Sequence, residues 1–325
     1  MQFPEGFVEK YEEILGDEAR DFLASFEEEA VSAFRVNPLK EAPVSFPDAI
    51  PQTPWGHYGK VSGKSPEHAT GLVYSQEPAA QMVAQVAQPS PGMKVLDLAA
   101  APGGKSTQLV AYLAGEGLLV SNEISSKRAK ILVENMERFG ATNVVVTNES
   151  ADRLAKVFKG YFDVIVLDAP CSGEGMFRKQ PEAMDYWSTA YPSQCASLQR
   201  EILEDAVTML AEGGRLVYST CTWAPEENEE IVHWLLDTYE FELLPVEHLN
   251  GMVAGIDLPE TARMYPHHFK GEGQFVAHLQ FKGENSGPKF KASKSNLSRE
   301  QLALWQEFAQ KHLQVNLTGI LQTFG

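Results

Sequence analysis

The chain has 325 residues, 43% hydrophobic and 22% charged, with 27 Lys and Arg against 44 Asp and Glu for a formal net charge of −17. These proportions suit a globular chain long enough for a large core, built as two domains or as one domain with flanking modules; no apolar run approaches the ~20 residues of a membrane span, and the start, Met1–Gly6, lacks the basic-then-apolar pattern of a secretory signal. Three cysteines, odd in number and widely spaced, argue against a disulfide scaffold, fit a reducing, cytoplasmic compartment, and give no paired Cys/His zinc spacing, so His267-His268 reads as a loop pair without metal.

Residues 5–31 read as two short amphipathic helices broken at Gly16-Asp17. Ala33–Pro38 reads as a strand closed by a turn. Residues 43–75 are loop-rich, with Pro43, Pro47, Pro51, Pro54, Pro66 and four glycines. A helical pattern resumes at Glu77-Pro78, and a strand–helix alternation then begins. Strands are expected at Lys94–Leu98, Leu118–Asn122, Val144–Thr147, Asp163–Leu167 and Arg215–Ser219. Helices are expected at Lys105–Ala114, Ser126–Phe139, Pro192–Ala211 and Pro225–Tyr239. Near-continuous apolar strands between amphipathic helices predict an α/β fold with a parallel sheet covered on both faces. A late strand, Gln274–Leu279, is placed antiparallel at or near the edge. Polar, lysine-rich Lys282–Asn296 reads as a linker, and Ser298–His312 as a further helix capped by Ser298. There is no internal repeat.

Val95-Leu-Asp-Leu-Ala99-Ala100-Ala101-Pro102-Gly103-Gly104-Lys105-Ser106 is a strand, a small-residue turn and a helix start. Small residues let a ligand approach the backbone, and the helix N-terminus offers free N–H donors. A Walker loop needs a glycine where Ala99 stands, and the G-x-G-x-x-G fingerprint is absent. Glu123 ends the next strand, 20 residues after Gly103 (123 − 103 = 20), placed to hold both ribose hydroxyls. A ribose-binding turn without a phosphate cradle fits S-adenosylmethionine better than NAD or ATP.

Cys171, in Asp168-Ala-Pro-Cys-Ser-Gly173, and Cys221, in Ser219-Thr-Cys-Thr222, each follow an apolar strand. Two thiols at strand ends would face the ligand crevice of a parallel sheet. A cytosine carbon 5 is a poor nucleophile until a thiolate adds to carbon 6, after which it can attack a methyl sulfonium. That addition needs a proton or hydrogen bond at ring nitrogen 3, and Asp168, three residues before Cys171, suits that role. A second thiol could then assist release. Cys195, inside a helix, reads as a small buried hydrophobe.

These motifs, with Phe34-Arg-Val-Asn-Pro-Leu-Lys40, Tyr74-Ser-Gln-Glu-Pro78, Glu174-Gly-Met-Phe-Arg-Lys179 and Arg263-Met-Tyr-Pro-His-His268, resemble the NOP/Sun family of RNA cytosine carbon-5 methyltransferases. Within it they are similar to the bacterial RsmF-like branch that modifies 16S ribosomal RNA. The resemblance covers about residues 30 to 282. It implies a Rossmann-like class I S-adenosylmethionine-dependent sheet over 76–282, a small N-terminal α+β RNA-recognition module over 1–75, and at 283–325 a linker and the start of a truncated C-terminal module. It also implies Cys221 as nucleophile, Cys171 as the group that frees the product, Asp168 in contact with cytosine and cofactor, and Lys105 reaching the site from the cofactor loop. Residues 99–105 and Glu123 would hold the cofactor, with Arg128 in support. Many relatives carry an acidic residue after the third strand; here Asn148 or Ser150 is expected to substitute.

A net charge of −17 alone speaks against nucleic-acid binding. Its distribution matters more. Acidic residues concentrate in Glu9–Glu29 and Glu226–Glu242, which read as solvated helix faces, while Lys60, Lys64, Arg178, Lys179 and Lys282 to Arg299 gather in loops. Trp55, Tyr58, Phe177 and Trp187 are candidates to stack on bases, with ordinary packing the alternative to each. Arg178 and Lys179 are candidates to meet phosphates. The chain is expected to act as a monomer on 16S ribosomal RNA, free or in a small-subunit assembly intermediate, away from membranes. A transfer-RNA methyltransferase and a non-catalytic RNA-binding assembly factor are the alternatives.

Overall fold

The architecture is that of a computed structural model describing residues 2–41, 45–287, 294–315, 317 and 319–323. Residues 43–44 of the loop-rich stretch and 288–293 of the expected linker lie outside the described residues. In chain order the elements are α1 (Phe7–Leu15), α2 (Ala19–Ala24), β1 (Ala33–Val36), β2 (Gly56–Tyr58), α3 (Pro66–Ala69), β3 (Val73–Ser75), α4 (Pro78–Ala87), β4 (Lys94–Asp97), α5 (Gly104–Leu113), β5 (Leu118–Asn122), α6 (Ser126–Phe139), β6 (Val144–Thr147), α7 (Ala151–Phe158) and β7 (Phe162–Asp168). Then come α8 (Tyr191–Met209), β8 (Leu210–Thr220), α9 (Glu229–Thr238), β9 (Phe241–Leu244), β10 (Val253–Gly255), β11 (Leu258–Met264), β12 (Gln274–Phe281) and α10 (Arg299–His312). The chain divides after Gly287 into two compact units. In the second, Ser298 and Gln301 cap α10 reciprocally, each side chain accepting the other's backbone N–H at 3.1 and 2.8 Å.

The first unit holds two sheets. One is small and antiparallel, in the order β2-β1-β3. The other runs β10-β11-β12-β8-β7-β4-β5-β6, with β9 also paired to β12. From β8 to β6 all neighbours are parallel. Side chains alternate between two faces along a strand, and here both faces are buried. Val95, Val164, Val166 and Val217 enter one core, while Leu96, Ile165, Leu167, Leu216 and Tyr218 enter the other. That is why these strands read as unbroken apolar runs rather than as alternating ones.

The late strand is antiparallel to β8 as expected, but it lies inside the sheet, with β11 and β10 beyond it. The expected helix from Pro225 divides into a 3-10 turn, Pro225–Glu227, and α9. Its acidic residues are not all solvated: Glu227 is 0% and Glu229 4% exposed. Glu229 pairs with buried Arg263, whose Nε donates to Oε1 at 2.6 Å and whose Nη2 meets Oε2. Arg263 Nη1 also donates to the Trp223 carbonyl at 2.7 Å. Removing one partner of such a pair leaves a buried charge alone. Arg263→Leu is therefore expected to cost about 3–5 kcal/mol in urea unfolding; a loss below about 1 kcal/mol would mean that Glu229 finds water.

Helices α1 and α2 pack through an aromatic cluster. Phe7, Tyr11, Phe22 and Phe26 meet Phe177, Trp187, Trp223 and Tyr265. The last four come from segments after β7, β8 and β11, so the first thirty residues rest against the loops of the large sheet. The adjacent His267 and His268 both reach Glu18 Oε2 through Nε2, at 3.2 and 2.7 Å.

Candidate active site

Strand β4 lies between β5 and β7, so successive connections leave it in opposite directions. A crevice opens at such a switch point, beyond the carboxyl ends of the strands. The turn from β4 to α5 forms its floor. Gly103 has φ +117°, a left-handed conformation that suits glycine, and it caps α5. Buried Arg35 of β1 holds the start of that helix, donating through Nη2 to the Gly104 carbonyl and Thr107 Oγ1, both at 2.7 Å. Beneath the turn, Asp97 is fully buried. Its Oδ2 accepts from Ser106 Oγ at 2.7 Å, while Oδ1 has no partner among the described residues. Burial pushes the Asp97 carboxyl up to about 6.

The crevice has a cavity of about 290 Å³. Leu98, Ala99 and Ala101 line it from the turn, and Asn122, Glu123 and Ile124 from the end of β5. Arg128 joins them, with Leu167–Cys171 and Cys221 opposite. Ala100, Pro102, Gly103, Gly104 and Lys105 shape the turn without forming this wall. Glu123 is 2% exposed; Oε1 accepts from the Ser125 N–H at 2.9 Å and Oε2 pairs with Arg128 at 3.3 Å. Arg128 Nη2 also donates to the Ala101 carbonyl at 2.7 Å, bracing the turn.

One expectation is corrected after β6. Asn148 turns its amide back to the Glu123 and Ile124 carbonyls, at 2.6 and 2.9 Å. Ser150 bonds Asp152 at the start of α7. Glu149, between them, and Ala151 line the cavity instead. Counting residues back from Asp168 led to this turn, where Glu149 and Ala151, not Asn148 or Ser150, line the cavity.

Strands β7 and β8 are parallel neighbours with Asp168 opposite Ser219. This register carries the two cysteine loops off the same side of the sheet, and Cys171 Sγ and Cys221 Sγ lie 3.2 Å apart. Their hydrogen bond raises the Cys171 thiol well above its ordinary value, helped by burial and by the charge of Cys221. Cys221 is held by its carbonyl, which accepts the Gly175 N–H at 2.9 Å. A Cβ at Gly175 would sit 2.9 Å from that carbonyl, so glycine is needed there for the close approach. Cys195 is buried on α8, and burial pushes its thiol up to about 11.

Asp168 accepts from Ser219 Oγ at 2.8 Å and Gln274 Nε2 at 2.9 Å on Oδ1, and pairs with Lys105 Nζ at 2.6 Å on Oδ2. Burial alone would lower Lys105, but Asp168 outweighs it and the ammonium is held protonated. Asp168 is thus engaged through both oxygens, with Lys105 as the charged partner of one of them.

Behind the cysteines lies a buried polar hub that sequence reasoning missed. Glu174 accepts from Trp187 Nε1 at 2.9 Å and Thr222 Oγ1 at 2.6 Å, and it meets Tyr11 Oη. Thr222 Oγ1 is 2.9 Å from Ser172 Oγ. The only sequence signal was polar residues standing beside both cysteines.

Four of the six RNA-contact candidates are engaged within the protein. Phe177 and Trp187 are buried in the aromatic cluster. Arg178 pairs with Glu272 at 3.0 Å and donates to the Gly271 carbonyl at 2.7 Å. Trp55 packs on Tyr112, with centroids 4.8 Å apart. Tyr58 is part-exposed under Lys270, whose Nζ lies 4.1 Å from the ring centroid. Lys179 is half-buried, while Lys60 and Lys64 are exposed.

Comparison with known proteins follows the same lines. The family model described as 16S rRNA methyltransferase RsmB/F matches residues 84–280, and that for the N-terminal domain of 16S rRNA methyltransferase RsmF matches residues 3–78. Ribosomal RNA small subunit methyltransferase F of Escherichia coli O17:K52:H18 is 35% identical over 304 residues, which is 86% of this chain and 64% of that protein. Its counterpart in Erwinia tasmaniensis is 34% identical over 303 residues, 86% and 63% of the two chains. The chain therefore spans just under two thirds of the length of these relatives. A methyltransferase homologue from Pyrococcus horikoshii superposes with a TM-score of 0.73 at 30% identity, over 85% of this chain and 94% of that one.

Proposed function

The chain belongs to the 16S rRNA methyltransferase RsmB/F family, and from that premise we propose that it forms 5-methylcytosine in small-subunit ribosomal RNA, with S-adenosylmethionine as cofactor and a cysteine–cytosine adduct as intermediate. The observation that carries this reading is the thiol pair, 3.2 Å apart at the rim of the cavity and beside the Asp168–Lys105 pair.

The residues fit the cofactor. Each carboxylate oxygen of Glu123 has a single protein partner, leaving acceptor capacity for ribose hydroxyls. The unpartnered, buried Asp97 Oδ1 under the turn is an acceptor of the kind a cationic group satisfies. Glu149 takes the place proposed for the acidic residue near adenine. When bound, S-adenosylmethionine supplies an electrophilic methyl group. Glu123→Gln is expected to weaken its binding about 10- to 100-fold, the range for a hydrogen bond to a charged group, as read by titration calorimetry without RNA. An unchanged affinity would remove Glu123 from the ribose site.

The chain's own residues act on the ring. Cys221 Sγ adds to carbon 6 as a thiolate, and the ring's electron pair moves towards carbon 5. Lys105, the proton-bearing member of its pair, supplies the hydrogen bond that ring nitrogen 3 needs, and Asp168 keeps it charged and in place. After carbon 5 is methylated, Cys171 as thiolate takes the carbon-5 proton. The freed electron pair re-forms the 5,6 double bond, and the bond to Cys221 breaks with Cys221 leaving as thiolate. A ribosomal RNA target accords with a cytoplasmic location. The target cytosine must be single-stranded or flipped out for its ring to meet the two sulfurs.

Bisulfite mapping of ribosomal RNA from cells lacking the gene tests the reading. Loss of a 5-methylcytosine signal in the small subunit is expected. An unchanged map, or a change confined to transfer RNA, would replace the substrate.

A further inference from the structure

Both backbone neighbours of Cys171 are held by side chains from elsewhere in the fold. Gln199, on α8, donates through Nε2 to the Pro170 carbonyl at 3.0 Å and to Glu227 Oε2 at 2.7 Å. Glu227, at the end of the 3-10 turn after β8, accepts the Ser172 N–H with Oε1 and Oε2, at 3.3 and 3.0 Å. Tyr218 Oη closes the ring, 2.9 Å from Gln199 Oε1 and 2.6 Å from the Glu227 carbonyl. Glu227 is fully buried, and no basic residue pairs with it among the described residues. A purely structural clamp has no need of an ionisable group here, since an amide oxygen accepts the same N–H without the desolvation cost of a charge.

We propose that Glu227 is a positioning residue for product release: with Gln199 it fixes the chain on both sides of Cys171 and so aims the Cys171 sulfur at the carbon-5 proton. This rests on the adduct mechanism proposed above. Burial pushes Glu227 up to about 7, while its bonds to Ser172 act against that rise. The titratable groups around it are Glu174, Cys171, Cys195, Tyr191 and Tyr218. Above pH 7 the carboxylate can accept with both oxygens; below it one oxygen carries a proton and the clamp loosens. Release should therefore rise with pH through about 7, the tighter clamp outweighing the upward push of the Glu227 charge on the Cys171 thiol.

The test is a single-turnover assay with unmethylated small-subunit RNA, following growth and decay of the adduct on denaturing gels between pH 6 and 9. In Glu227→Ala, adduct growth is expected to match the wild type, while decay slows roughly 10- to 100-fold, the scale of a misplaced catalytic group. Glu227→Gln, which keeps an acceptor for Ser172, should restore most of the decay rate at pH 8 but lose the inflection near pH 7. Gln199→Ala should slow decay by releasing Pro170. Decay at the wild-type rate in Glu227→Ala, equal loss of growth and decay in all three variants, or an inflection kept in Glu227→Gln would each overturn the proposal. An adduct trapped by Cys171→Ala but not by Glu227→Ala would overturn this inference alone. No adduct from the wild type would overturn it together with the reading beneath it.

Discussion

Cys221→Ala is expected to yield no covalent RNA adduct and to lose methyl transfer by a factor of roughly 10⁴ or more, the scale seen when a nucleophile is removed. The reason is chemical before it is structural. Without a sulfur on carbon 6, carbon 5 keeps its aromatic electron pair, and hydrogen bonds from Lys105 cannot replace a bond. The fold should survive the change, because Cys221 is only part-buried and its carbonyl, which holds Gly175, is untouched. The measurement is a denaturing gel of enzyme and RNA alongside a methyl-incorporation assay. An adduct formed by Cys221→Ala would exchange the roles of the two cysteines.

Cys171→Ala should do the opposite and trap the adduct. Release is expected to slow by roughly 10²–10⁴-fold, the range of general acid–base catalysis, so that a slow-migrating band accumulates. The geometry suggests when Cys171 becomes a base. In the free protein its proton is held first by the hydrogen bond to Cys221, then by burial and by the charge of Cys221. Once Cys221 is bonded to carbon its sulfur carries no charge and accepts more weakly, so one of those causes is lifted and one weakened, while burial and the charges of Glu227 and Asp168 remain. The adduct bond itself thus eases the loss of the Cys171 proton. Fast release from Cys171→Ala would assign the proton to another group.

The part of this arrangement legible in sequence is the part that is local. The strands β4, β5, β7 and β8 announced themselves because burial on both faces demands unbroken apolar runs. The turn at Ala99–Lys105 and the two cysteines lay at the ends of those runs, so their convergence followed from topology. Strands β2, β3 and β10 are only three residues long, too short for a period to be visible. Helix α7 does carry an apolar stripe, Ala151, Leu154, Ala155 and Phe158, but at eight residues it spans barely two turns, and its small alanines made that stripe easy to pass over. Glu227 and Glu229 looked like an acidic, solvated face because sequence shows charge but not the Ser172 amide or the Arg263 guanidinium that receives it. Phe177, Trp187 and Arg178 looked available to RNA for the same reason: their partners, Phe7 for the two rings and Glu272 for the guanidinium, are distant in the chain.

The Glu174 hub bears on how such proteins can be cut and recombined. Tyr11, from the first helix, and Thr222, next to Cys221, share one buried carboxylate. Ser172, next to Cys171, is one hydroxyl further on. The first thirty residues and the two cysteine loops are therefore expected to melt together. An N-terminal segment exchanged between relatives would have to travel with Glu174, Trp187 and Trp223, or the hybrid would fold with its two sulfurs out of register.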